Sequence, residues 1–172
     1  MSVESPSIQI ERYSESHVEG FTALYNDPAV ARQVLHVPYQ SAEWHRRYLR
    51  ETVSNERLLM LVALHQGQVI GNATLEQFSR IRRSHCGGIG MGVAVAWQGK
   101  GVGSLLLAAL LDVADNWMNL HRIELSVYTD NYPALALYGK FGFETEGELR
   151  DYAVRDGRLV SVYSMARFRK KG

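Results

Sequence analysis

The segment Gln98-Gly99-Lys100-Gly101-Val102-Gly103-Ser104 links a glycine-rich run, GIGMGV, to a long apolar stretch beginning SLLLAALL. Glycine inside a regular helix costs roughly 1 kcal/mol relative to alanine. Alternate glycines at Gly99, Gly101 and Gly103, at the mouth of a helix, therefore do something that a side chain would prevent. A helix N-terminus exposes unpaired N–H groups and the positive end of the helix dipole. Glycines ahead of it let a ligand approach the main chain. The combination suits an anion, best a phosphate or pyrophosphate, held by the amides from Gln98 to Ser104. Lys100 either adds charge there or faces solvent.

Two common phosphate loops do not fit. The pattern is not G-x-x-x-x-G-K-[ST]. It also departs from the dinucleotide fingerprint G-x-G-x-x-G, because Ser104 stands where the last glycine belongs. Glu124 does lie where a ribose-binding acid would fall. Yet a dinucleotide fold starts its sheet with this unit, whereas here helices and antiparallel strands precede it. Close helix–strand packing explains one glycine, not all of them.

The loop Gln98-x-x-Gly101-x-Gly103 resembles the Q/R-x-x-G-x-G/A signature of the GNAT superfamily of N-acetyltransferases. A second stretch, DNYPALALYGKFGFETEG at 130–147, resembles that family's N-x-x-A-x-x-x-Y-x-K-x-G-F-x-x-E-G segment. One helix and one strand separate the two, as in the family. Within it, RRSH, RIEL, YGKFGFE and YSMAR resemble small bacterial amino-acid or amine N-acetyltransferases.

The resemblance implies an acetyl-coenzyme A-dependent enzyme in which an amine attacks the thioester directly, in a ternary complex. The loop Gln98 to Ser104, Val102 included, would grip the cofactor pyrophosphate. Val93, Ala94 and Val95 would bind the pantetheine arm through their main chain, as an added strand does. Glycine in GIGMGV fits either a backbone that another chain approaches closely or a softened buried strand. Asn131 matches a pantetheine-binding position and also reads as an N-cap for the helix near Pro133. A main-chain N–H at Val93 or its neighbours would serve the oxyanion. Tyr138 matches the family's general acid, which protonates the departing thiolate.

The amine must be neutral to attack. At neutral pH about a tenth of an α-amine is free base, against under one in a thousand for a lysine side chain. Many relatives carry an acid just ahead of an Ile-Gly pair, but here Gly88 precedes Ile89-Gly90. Glu76 is then the first candidate base, ahead of His85 and Glu124. For the acceptor, the loop LHVPYQ would contribute Leu35, His36 and Tyr39, with Glu76 nearby. Arg83, beside Arg80 and Arg82, would clamp a substrate carboxylate or form a solvated basic tip. The leading expectation is acetylation of the α-amino group of an amino acid. Alternatives are a protein N-terminus or lysine, and a non-catalytic acetyl-CoA-binding module.

These groups require a scaffold. Ile8 and Ile10 alternate as a short strand. Ser16-x-x-Glu19 predicts a capping box opening a helix to Tyr25. A helical turn follows the NDP break, and Ser41 caps a helix to about Val53. Strands are expected at 58–64, 69–78, 85–95, 121–129, 143–154 and 158–167, with helices at 104–118 and after Pro133. Asp156-Gly157 predicts a tight hairpin. The result is an α/β (mixed α+β) chain: a mixed, mostly antiparallel sheet of about seven strands flanked by about four helices, the acyl-CoA N-acyltransferase (GNAT) fold, as one domain over 1–172.

Composition sets outer limits. The chain has 172 residues, a net charge of +1 and one cysteine, Cys86. Near-zero charge argues against nucleic acid as a partner. A lone cysteine excludes an internal disulfide, and no metal is expected. No stretch approaches the ~20 apolar residues of a membrane span. The N-terminus reads as lacking a signal peptide, the basic tail as solvated, and the cytoplasm as the compartment. The last hairpin, with Arg150 and Tyr152, either adds to the acceptor site or forms a homodimer contact.

Overall fold

The computed structural model describes residues 7–170. The expected lack of a signal peptide and the end of the basic tail fall on residues 1–6 and 171–172, outside the described residues. The elements run β1 (Gln9–Arg12), α1 (Val18–Asn26), α2 (Pro28–Ala31), α3 (Ala42–Val53), β2 (Leu58–His65), β3 (Gln68–Gln77) and β4 (Cys86–Val93). They continue with α4 (Val102–Asn116), β5 (Arg122–Tyr128), α5 (Tyr132–Lys140), β6 (Glu144–Arg155) and β7 (Arg158–Phe168). All seven strands join one sheet in the order β1-β2-β3-β4-β5-β7-β6. Only β4 and β5 run parallel; the other neighbours are antiparallel.

The sheet matches the expectation, and the helices need correction. Five lie among the described residues, close to the expected four. The addition is α2, expected only as a turn, where Pro28 sits at the start and the Asp27 side chain accepts from the Ala29 N–H at 2.9 Å. The first helix opens earlier than Ser16-x-x-Glu19 predicts. A 3-10 turn at Glu15–His17 leads into α1, and the Ser14 N–H donates to His17 Nδ1 at 2.9 Å. Histidine thus takes the place that the rule gives to glutamate, while Glu19 pairs with Arg46 at 3.0 Å. α4 starts at Val102, not 104, because Gly101 at φ 83° has already turned the chain. β4 ends at Val93, not 95, and a 3-10 turn at Val95–Trp97 follows.

The apolar run LLMLVALH explains the layering. Side chains alternate across a strand, so this run is covered on both faces. Met60, Val62 and Leu64 pack with Val18, Phe21 and Leu24 of α1 and Leu49 of α3. Leu61 and Ala63 pack with Val102, Leu106, Leu107 and Leu110 of α4. α5 lies on the α4 side through Tyr138, Leu135 and Leu137. Leu106 is fully buried. Leu106→Ala is expected to lower stability by about 2–5 kcal/mol, read as a lower denaturant midpoint at unchanged slope.

Candidate active site

β4 and β5 are paired only at Cys86↔Arg122, Gly87↔Ile123 and Gly88↔Glu124. Beyond Gly88 the strands part. Ile89 to Val93 keep partners on β3, and Leu125 to Tyr128 keep partners on β7. The direction of the main-chain groups follows from the ends of β4. Phe78 N–H bonds the Cys86 carbonyl at 3.0 Å, and Ala94 N–H bonds the Ile70 carbonyl at 2.9 Å. Peptide groups alternate sides along a strand, so even-numbered residues of β4 address β3. Ile89, Met91 and Val93 turn theirs into the gap. By the same reasoning Thr129, bonded to the Ser161 carbonyl, leaves Ser126 and Tyr128 facing the gap from β5.

The glycine loop lies at the open end of this wedge. Gly99 at φ 70° and Gly101 at φ 83° are left-handed, and nothing would crowd a Cβ at either. Backbone conformation, not space, demands glycine there. Gly103 differs: a Cβ would come within 2.9 Å of Leu137 Cδ2, so this one serves the contact of α4 with α5. The packing explanation thus covers one glycine. The N–H groups from Gly99 to Ser104 have no acceptor among the described residues. Gln98 departs from the expected ring of amides, because its N–H bonds the Val95 carbonyl at 3.2 Å. Its side chain instead donates to the Val93 carbonyl at 3.1 Å, tying the loop to the end of β4. The Lys100 ammonium rests 5.2 Å from the Trp97 ring.

α5 brings Tyr138 toward the gap. The helix starts at a cap where Asn131 Oδ1 accepts from the Ala134 N–H at 3.3 Å, with Pro133 in the first turn. Tyr138 is only 7% exposed and packs on Phe143 at 5.7 Å between ring centroids. Its hydroxyl has no protein partner among the described residues and is not sealed in. Burial pushes its pKa up to about 12, so the phenol keeps its proton at neutral pH.

The opposite face carries a polar cluster that no local sequence pattern marks. Tyr25 of α1 donates to Asn72 Oδ1 on β3 at 2.9 Å, and Asn72 Nδ2 donates to the Leu61 carbonyl at 2.9 Å. A Cβ at Gly92 of β4 would meet the Tyr25 hydroxyl at 3.0 Å, which places that phenol against the parted strand. Burial raises the Tyr25 pKa well above the ordinary value, and the Tyr138 phenol adds to the effect. Tyr25 belongs to the cluster on the α1 face and Tyr138 to the one on the α4 face. The one visible sequence signal was Asn72, a polar residue inside an apolar strand.

The loop expected over the acceptor lies on this Tyr25 side. Asn26 holds Gln40 through both its amide atoms, at 2.7 and 3.0 Å. Tyr128 of β5 donates to the Val34 carbonyl at 3.4 Å, and Arg32 pairs with Asp156 of the last hairpin at 2.9 Å. The loop therefore crosses from α1 to β5 above the gap. Leu35 and Tyr39 are exposed at 67% and 95%, while His36 turns inward onto Tyr25 at 4.8 Å between centroids.

Glu76 and Arg83 lie at the closed end. Glu76 is the register partner of Gly88, so its side chain leaves the sheet on the face where a residue-88 side chain would. It accepts from Asn55 Nδ2 at 3.1 Å. Along β3 it stands about 13 Å beyond Asn72 at the usual strand rise. Arg83 pairs with Glu124 and lies 4.6 Å from the centre of the Phe78 ring. Glu124 also accepts from Arg122 at 2.8 Å, and Arg122 pairs with Glu146. The structure thus separates Arg83 from Leu35, His36 and Tyr39, and its charge is compensated. Glu124 is likewise a satisfied carboxylate. Among the described residues no cluster of His, Cys, Asp or Glu suits a metal, and no helix is long and apolar enough to cross a membrane.

Residues 18–143 match the family model described as Acetyltransferase (GNAT) family. The chain belongs to the GNAT acetyltransferase family. It is 37% identical over 158 residues to the L-amino acid N-acetyltransferase AaaT of Escherichia coli K12, covering 91% of this chain and 95% of that one. It is 36% identical over 101 residues to the N-alpha-acetyltransferase RimI of Mycobacterium tuberculosis, covering 59% and 60%. The spermidine N-acetyltransferase of Vibrio cholerae, solved with CoA and spermine, shares the fold at a TM-score of 0.84 and 23% identity, covering 94% and 95%. This GNAT protein is an acetyl-CoA-dependent N-acetyltransferase.

Proposed function

We propose that this acetyltransferase acetylates the α-amino group of a free amino acid by direct attack in a ternary complex. Near-full-length similarity to an L-amino acid N-acetyltransferase carries the reading. The loop 32–40, tethered to α1, β5 and the last hairpin, agrees with a confined acceptor site.

The site fits the donor. An amide ring from Gly99 to Ser104, opened by two left-handed glycines, suits a diphosphate. The main-chain edges of Ile89, Met91 and Val93 suit a pantetheine arm lying between strands as an extra strand. Ala94 and Val95 contribute by ending β4 and turning the chain into the loop. Bound acetyl-CoA supplies the thioester that the amine attacks. The Val93 N–H, aimed into the gap, is the donor for the developing oxyanion. Asn131 holds the start of α5, and Tyr138 gives a proton to the departing thiolate. Arg83 meets a substrate carboxylate only by releasing Glu124.

A panel of amines, read as free thiol from acetyl-CoA, tests the assignment. Free amino acids are the expected acceptors, with spermidine and peptides poor. Turnover confined to peptides or to polyamines overturns the acceptor class. Acetyl-CoA binding without turnover of any amine overturns catalysis.

A further inference from the structure

His36 and His45 form a hydrogen-bonded pair, Nε2 to Nε2 at 2.8 Å, beneath the tethered loop. Their tautomers follow from one hydroxyl. Thr22 donates its O–H to the Val18 carbonyl at 2.7 Å. Its oxygen, 3.0 Å from His45 Nδ1, must then accept from that nitrogen. A neutral imidazole carries one N–H. His45 with its proton on Nδ1 therefore has a bare Nε2, and the short contact requires His36 to supply the proton on its own Nε2. The remaining nitrogen, His36 Nδ1, bears a lone pair. It has no protein partner among the described residues and is not sealed in.

The position of this lone pair matters. The His36 ring lies on Tyr25, and the Tyr25 hydroxyl touches β4 at Gly92, beside Val93. Its own loop is fastened to β5 through Tyr128 and Val34. The imidazole thus stands over the gap, on the face opposite Tyr138. We propose that His36 Nδ1 takes the proton from the acceptor ammonium, and that His45 is the positioning residue that keeps that nitrogen bare. The proposal rests on the amine-acetylating reading given above.

The surroundings keep the pair ready as a base. Burial, and for His45 the neighbouring His36 as well, hold both below the ordinary histidine range, His45 at about 4. Facing groups are Phe21, Thr22 and Tyr25 from α1 and Trp44 from α3. The nearby carboxylates Glu19 and Glu43 are engaged by Arg46. Across the loop, Asp130 pairs with Arg155, and Asp156 with Arg32. Once His36 is protonated, its Nε2–H still has a neutral acceptor in His45, and a second proton is opposed by the first. The pair takes up a single added proton.

The balance is simple. One ammonium proton passes to His36 Nδ1. The freed amine attacks the thioester carbon, a C–N bond forms and the C–S bond breaks. The sulfur takes the Tyr138 proton, and one of the two protons on the acylated nitrogen replaces it on Tyr138, the other staying as the amide N–H. His36 returns its proton to solvent, so each turnover releases one proton.

The test compares pH profiles of kcat/KM for the native protein, His36→Gln, His45→Phe and Glu76→Gln. The acceptor is the best amine of the panel, so a wrong acceptor class shows in the panel and a wrong base shows here. The native profile is expected to be flat between the titration of the pair and that of the amine. His36→Gln should fall about tenfold at neutral pH with an α-amine, because only the free-base fraction can then react. Its rate should then climb tenfold per pH unit up to the amine pKa, and an amine of low pKa should restore most of it. His45→Phe removes the acceptor for the imidazolium, so the acid limb should move to lower pH at unchanged KM for acetyl-CoA. A native profile in His36→Gln, an equal deficit with the low-pKa amine, or loss of the flat region in Glu76→Gln alone overturns the proposal.

Discussion

Gly101→Val is expected to weaken acetyl-CoA binding by at least about 100-fold, close to 3 kcal/mol. Gly101 is the N-cap of α4 and has φ 83°. A β-branched residue is strongly disfavoured in that region. Nothing lies within 4 Å of a Cβ at this position, so the strain begins in the backbone. Relief requires φ to rotate, which turns the amides of Lys100 to Gly103 away from a common centre. Those N–H groups have no acceptor among the described residues, so no hydrogen bond seen there is lost. Affinity should fall far more than stability. Gly103→Ala provides the contrast: its cost arises from the 2.9 Å approach to Leu137 and should appear as a lower melting temperature. Calorimetry with acetyl-CoA and thermal unfolding separate the effects. Native affinity in Gly101→Val would remove the loop as the diphosphate site.

Tyr138→Phe should lower kcat about 100-fold with acetyl-CoA affinity unchanged, the range expected for losing a general acid. The ring stays against Phe143, and the hydroxyl has no protein partner to lose, so the melting temperature should hold. The raised pKa, about 12, has a further consequence. Tyr138 remains protonated through the working range, so its removal should lower the whole pH profile without deleting a limb. That separates it from His36, whose loss changes the shape. An unchanged kcat would mean that the thiolate draws its proton from another source.

The sequence by itself determined the features set by neighbouring residues. The glycine turn ahead of α4, the Asn131 cap and the Asp156-Gly157 turn were readable because a few adjacent residues limit φ and ψ, although the left-handed φ at Gly99 and Gly101 came from the structure. The strands were readable because alternation and unbroken apolar runs record how many faces are covered. The opening of α1 was misread because His17 does what the local rule assigns to glutamate.

Only the tertiary structure decided what depends on distance through space. The wedge between β4 and β5 is an absence of pairing, and neither strand announces it. Tyr25 meets Asn72 across 47 positions, and Arg83 meets Glu124 across 41, so the arginine's charge is compensated within the fold. His36 and His45 lie nine positions apart on different elements, and their relation hangs on where Thr22 sends its one proton. Such contacts form when separate segments are buried together and their polar atoms must find partners, a requirement imposed by the assembled fold rather than by any stretch of chain.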